Sequence, residues 1–143
     1  MTKVSHVTTT SPVVPSMNFF WQRALLGLFF IVAGVLHFIF PAQYASTMPT
    51  WIPWHDELVA LSGLCEIAGG LGVLWVRTRM AAGIGLILLS LAVLPANIQM
   101  LIEAQQAAKS AWLLALLWLR LPLQGLLILW IWRITRHDRH HAP

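Results

Sequence analysis

The stretch AWLLALLWLRLPLQGLLILWIW, Ala111 to Trp132, decides the fold. Apart from Arg120 and Gln124 it is apolar on every side, and it reaches the length of about 20 residues that a bilayer core demands. A helix packed on a soluble domain carries a polar face opposite its apolar one, and this stretch has none. Three windows of the same kind precede it, at 80–101, 58–76 and 19–40. Hydrophobic residues make up 58% of the chain and charged residues 10%, and the mean hydropathy is +0.73. These values predict an all-α integral membrane four-helix bundle with little chain left over for a soluble domain. The spans and their connections occupy 19–133. Residues 1–18, rich in Ser, Thr, Val and Pro without a helical period, read as a flexible tail. Residues 134–143 read as a basic tail.

The basic residues set the expected topology. Lys3 and Arg23 flank the start of the first helix, Arg77 and Arg79 separate the second window from the third, and Arg133, Arg136 and Arg139 follow the fourth. The two remaining connections hold Lys109 as their only Lys or Arg, beside Asp56, Glu57 and Glu103. The positive-inside rule then places both termini in the cytoplasm. Trp21, Trp75, Trp130 and Trp132 fall near the cytoplasmic ends, and Trp51, Trp54 and Trp112 near the outer ends, as interfacial belts do.

Polar residues inside the windows are few, and they share one depth. With a rise of 1.5 Å per residue, His37, Ser62, Glu66, Asn97, Arg120 and Gln124 all fall in the outer half of the bundle. Spacing also gives them a common interior. Ser62, Glu66 and Gly70 form one stripe; Gly83, Ser90 and Asn97 a second; Arg120 and Gln124 a third; Gly27, Gly34 and His37 a fourth. Ionisable groups inside a span are costly, about 2.5 to 3.5 kcal/mol each at its centre, and mark pairs or functional sites. Glu66 and Arg120 are the expected pair, since a guanidinium can grip a carboxylate bidentately. Pro95 and Pro122 each remove a helical hydrogen bond close to this cluster and are expected to free the carbonyls of Leu91 and Trp118. The connection from Pro41 to Glu57 carries Pro41, Pro49 and Pro53, so it cannot be one helix. Its Met48, Trp51 and Trp54 are expected to form a lid on the outer mouth.

Composition also excludes classes. The net charge of +4 is divided among helix ends with no basic stripe, unlike a nucleic-acid surface. Cys65 is the only cysteine, so neither an internal disulfide nor a Cys-x-x-Cys relay exists. The terminal run from Arg136 to His141 is read as a solvated tail on anionic head groups, and no metal site is expected.

Several ordered motifs resemble the DoxX-like family of small bacterial membrane proteins. They are His37-Phe38 with Pro41, Met48-Pro49, Trp51-Ile52-Pro53, Ser62-Gly63 with Glu66 and Gly69-Gly70, Pro95-Ala96-Asn97-Ile98 with Met100, and Arg120-Leu121-Pro122-Leu123-Gln124. They extend from about Arg23 to Trp132. The resemblance implies a compact four-helix protein of the bacterial inner membrane, in a family linked to quinone-dependent sulfur oxidation and to redox stress. The chain carries no haem, iron–sulfur or nucleotide motif, so any electron transfer would fall to a bound quinone or a partner protein. The expected function is binding of a small lipophilic, quinone-like molecule in the polar pocket by His37, Ser62, Glu66, Asn97, Arg120 and Gln124, as a redox or stress accessory. No catalytic set is assigned. The alternative is a non-catalytic membrane subunit or assembly factor whose polar cluster is structural. Transport is the weakest reading, because the polar groups stop halfway. The bilayer is the expected partner, with membrane or redox proteins and a second copy, packed through glycines of the middle helices, as further candidates.

Overall fold

A computed structural model describes residues 17–136, all six of its regular elements helical. α1 (Met17–Ile39) leads into the short α2 (Pro41–Ala45); α3 (His55–Leu74) follows, then α4 (Arg79–Ala92), α5 (Leu94–Gln106) and α6 (Ala111–Arg136). Four helical segments are long and apolar enough to cross a membrane: Phe19–Ile39, His55–Leu74, Arg79–Gln106 and Ala111–Arg136. The four windows read from the sequence therefore stand as helices, α4 and α5 together forming the third. The expected tails lie outside the described residues except for 17–18, which belong to α1, and 134–136, which continue α6.

Large apolar side chains cover the outside. Leu64, Leu88 and Leu126 are each about 60% exposed (59%, 61% and 60%), a surface that suits hydrocarbon and not water.

Packing begins with the sequence's small residues. α1 lies antiparallel on α3 through two glycine pairs, Gly27 with Gly70 and Gly34 with Gly63. A Cβ built on Gly34 would meet the Gly63 carbonyl at 2.5 Å, and one built on Gly63 would meet the Gly34 carbonyl at 2.8 Å. The heptad spacing of Gly27 and Gly34 is answered by that of Gly63 and Gly70, and the backbones touch where lipid provides no hydrophobic drive. α3 then packs on α4, with Gly69 against Leu86 and Gly72 against Ala82, and α4 packs on α6, with Gly83 against Thr135. Most glycines of the middle helices are thus occupied within the chain, and Gly85 alone among them has an open Cβ direction.

The helix order is α1, α3, α4 with α5, then α6. α6 meets α1 at one end, where Leu26, Phe30, Val73, Leu86, Ile131 and Ile134 form a buried cluster. There Arg23 Nη2 also donates to the Ile134 carbonyl at 3.5 Å. At the other end α6 packs on α5 through Leu101, Ala104 and Leu117. Both chain termini of the described region thus lie at one end of the bundle, with α2 and the α5–α6 turn at the opposite end.

The third span breaks at Val93, just before Pro95. α6, in contrast, continues as helix through Pro122. The segment after α1 folds as expected for its prolines: a short helix starting at Pro41, then turns, then α3 entered through Trp54 in the left-handed region at φ 56.

Candidate functional site

Between α1 and α6, above the buried cluster, the helices part around a cavity of about 710 Å³. α6 lines it from Leu116 to Trp130, a rise of roughly 21 Å at 1.5 Å per residue. The cavity therefore runs deeper than the polar cluster alone. Its walls change character along this length. His37, Tyr44, Glu66, Asn97, Arg120 and Gln124 belong to the end near α2; Phe29, Phe30, Leu126, Leu127 and Trp130 belong to the end near the chain termini.

Glu66 reaches the cavity from α3 and pairs with α1. Its Oε2 lies 3.6 Å from His37 Nδ1. The same Nδ1 also donates to the Ala33 carbonyl at 3.0 Å, one turn back in α1, which requires its proton on that nitrogen. Tyr44 of α2 stacks on the imidazole with ring centroids 3.9 Å apart and planes 23° from parallel. His37 is thus held from three sides: its own helix, Glu66 and Tyr44. Glu66 Oε2 is buried and accepts no hydrogen bond.

The expected Glu66–Arg120 pair does not form. Among the described residues neither an ion pair nor a hydrogen bond holds the exposed Arg120, although both residues face the same cavity. The cause is helix order. α3 packs on α1 and α4, and α6 on α4 and α5, so Glu66 and Arg120 stand on opposite walls.

Asn97 and Gln124 meet as their depths imply. Asn97 Nδ2 donates to Gln124 Oε1 at 2.8 Å, and Gln124 Nε2 donates in turn to the Ser90 carbonyl. Ser90 stands four residues before Leu94, across the break at Val93, where a continuous helix would have supplied a backbone donor. Gln124 of α6 fills that position. The carbonyl supplied with an outside donor is therefore that of Ser90, whereas the prolines pointed to Leu91 and Trp118. Ser90 Oγ bonds the Leu86 carbonyl at 2.8 Å and points no free donor at the cavity.

Ser62 lies half-buried on α3, outside the cavity wall. Met48, Trp51 and Trp54 do not line the cavity either, and both tryptophans are 73% exposed. Tyr44 is the residue of that connection that closes on the site. It is the chain's only tyrosine, and it stands one turn into a helix opened by a proline directly after the helix bearing His37. Those features were open to a reader of the sequence. The apolar wall was not, because apolar residues on every side of a span leave its inner face unmarked.

Fold and site together define a multi-pass helical membrane protein with an intramembrane cleft, polar at one end and apolar at the other. Residues 26–135 match the family described as a domain of unknown function (DUF8561), and the chain belongs to that family. No curated protein matches the chain, and no solved structure matches it.

Proposed function

We propose that this protein, DoxX-like by its motifs, lies in the bacterial inner membrane with both termini in the cytoplasm. Its cleft binds a small lipophilic, quinone-like molecule, and it serves as a redox or stress accessory. The observation that carries this reading is the pairing of polar residues short of hydrogen bonds with an apolar cavity. Glu66 Oε2 is buried without a hydrogen bond, and Arg120 stands on the opposite wall of the same 710 Å³ space. Ligand sites combine these features: mostly apolar walls, a few convergent polar groups, and a volume of about 300 to 1,000 Å³. Arg120 supplies donors for a carbonyl oxygen, and Glu66 with His37 takes a second polar group of the ligand. The test is purification in native lipid, with bound small molecules identified by mass spectrometry. A lipophile retained by the parent and lost from Glu66→Gln supports the reading. An empty cleft in both proteins overturns it.

A second reading, a non-catalytic subunit or assembly factor, draws on the other half of the polar cluster. Asn97, Gln124 and the Ser90 carbonyl bond one another and tie α6 to the broken third span. Under that reading, partner proteins co-purify where no small molecule does.

A further inference from the structure

We infer that the ligand is a single-tailed amphiphile taken sideways from the bilayer, its tail leaving the cleft through the seam between α1 and α6; this rests on the lipophile-binding reading above. Three observations lead there. The cavity holds about 710 Å³, within the range of a drug-sized ligand. It accommodates a polar head and the first part of a tail, not a whole membrane lipid. The rest of the tail needs an exit.

The second observation is the gradient along the walls. Below Gln124 the α6 side consists of Leu126, Leu127 and Trp130, facing Phe29 and Phe30 of α1. From Gln124 to Trp130 the helix rises roughly 9 Å, and the α1 and α6 side chains along that length offer no hydrogen-bonding group except the Trp130 indole. A hydrated path for a polar solute is poorly served there, whereas a hydrocarbon tail is well served. The cluster of Leu26, Phe30, Ile131 and Ile134 closes the cleft beneath.

The third observation is where the wall is missing. α1 is backed by α3 and α6 by α4 and α5, but α1 and α6 share contacts only sparingly. At the rims of the seam Phe29 is 49% and Leu126 60% exposed. Both belong to spans that cross the membrane, so what they are exposed to is lipid. The head then lies between Arg120, which donates to an oxygen, and Glu66, whose Oε2 has no other hydrogen-bond partner. A ring with two oxygens on opposite sides meets both walls, accepting from Arg120 at one and, as a hydroxyl, donating to the Glu66 carboxylate at the other.

Photoaffinity labelling of the protein in phospholipid nanodiscs tests this. Two benzoquinone probes are used in their reduced, hydroquinone form, one with a diazirine on the ring and one with it midway along a decyl tail. The ring probe is expected to label cavity residues such as Tyr44, and the tail probe to label the seam at Phe29 and Leu126. Leu126→Trp is expected to lower seam labelling by roughly tenfold, equivalent to about 1.4 kcal/mol of binding, while a tailless hydroquinone still competes with the ring probe. Ring labelling in the cavity with tail labelling confined to other surfaces overturns the sideways route and leaves the binding reading standing. Failure of the ring probe to label the cavity removes both. The tail-probe map is read on the parent protein, so it stands even if the Trp variant folds poorly.

Discussion

His37 and Glu66 face each other across the α1–α3 seam, Nδ1 of one 3.6 Å from Oε2 of the other. The imidazole is also anchored to the Ala33 carbonyl and stacked by Tyr44, so it keeps two of its three supports without the carboxylate. Glu66→Gln and Glu66→Ala are therefore both expected to keep the parent's unfolding midpoint in detergent while losing bound ligand. Marked unfolding of Glu66→Ala, rescued by also replacing Arg120, would instead reveal a buried ion pair between those two residues.

The α1–α3 seam tolerates no side chain at its glycines. Gly34→Ala places a methyl group 2.5 Å from the Gly63 carbonyl, and the helices must separate to admit it. A loss of about 1 to 3 kcal/mol is expected, as for overpacked cores. Gly85 and Gly125 have nothing within 4 Å of a built Cβ, so Gly85→Ala and Gly125→Ala should be neutral or stabilising. Denaturant titration in micelles of the three variants checks the contrast.

Gln124 is the polar link between α6 and the broken third span. Gln124→Leu leaves Asn97 Nδ2 and the Ser90 carbonyl without their partner. Hydrogen bonds between membrane helices average about 0.6 kcal/mol and reach about 1.7. A loss toward the upper value is expected, since two bonds go together. In a double-mutant cycle with Asn97→Ala the two losses should be less than additive.

α5 ends in a Schellman turn with the wrong residue. Lys109 N–H bonds the Ala104 carbonyl at 3.1 Å and Ala108 N–H the Gln105 carbonyl at 3.1 Å, which forces Ala108 to φ 47. Glycine is the usual occupant of this position, and a left-handed alanine costs about 1 kcal/mol. Ala108→Gly should raise the unfolding midpoint accordingly, with ligand binding unchanged.

Much of this architecture is written in the residues. Length and hydropathy gave four spans, because a bilayer demands about 20 apolar residues per crossing. The rise per residue placed His37, Glu66, Asn97, Arg120 and Gln124 at one level, and all five line the cleft. Depth, however, is only one coordinate. Which helix adjoins which depends on glycine contacts between segments far apart in sequence, and that order separates Glu66 from Arg120. The role of Tyr44 turned on how sharply the chain bends at Pro41, and that of Gln124 on a carbonyl exposed by a break in another helix. Neither can be read from spacing along a single span.

The orientation has its own check. A reporter cysteine at Gln43, in a background where Cys65 is replaced, should react with an impermeant thiol reagent from outside intact cells. One at Thr78 should react only after the membrane is opened. The reverse pattern would put the mouth of the cleft on the cytoplasmic face.

The most direct measurement is an experimental structure of the protein in nanodiscs made from its own membrane. The account predicts elongated non-protein density between α1 and α6, its head between Arg120 and the His37–Glu66 pair and its tail passing Phe29 and Leu126. A closed seam, with α6 packed on α1 throughout and Arg120 gripping Glu66, would contradict it.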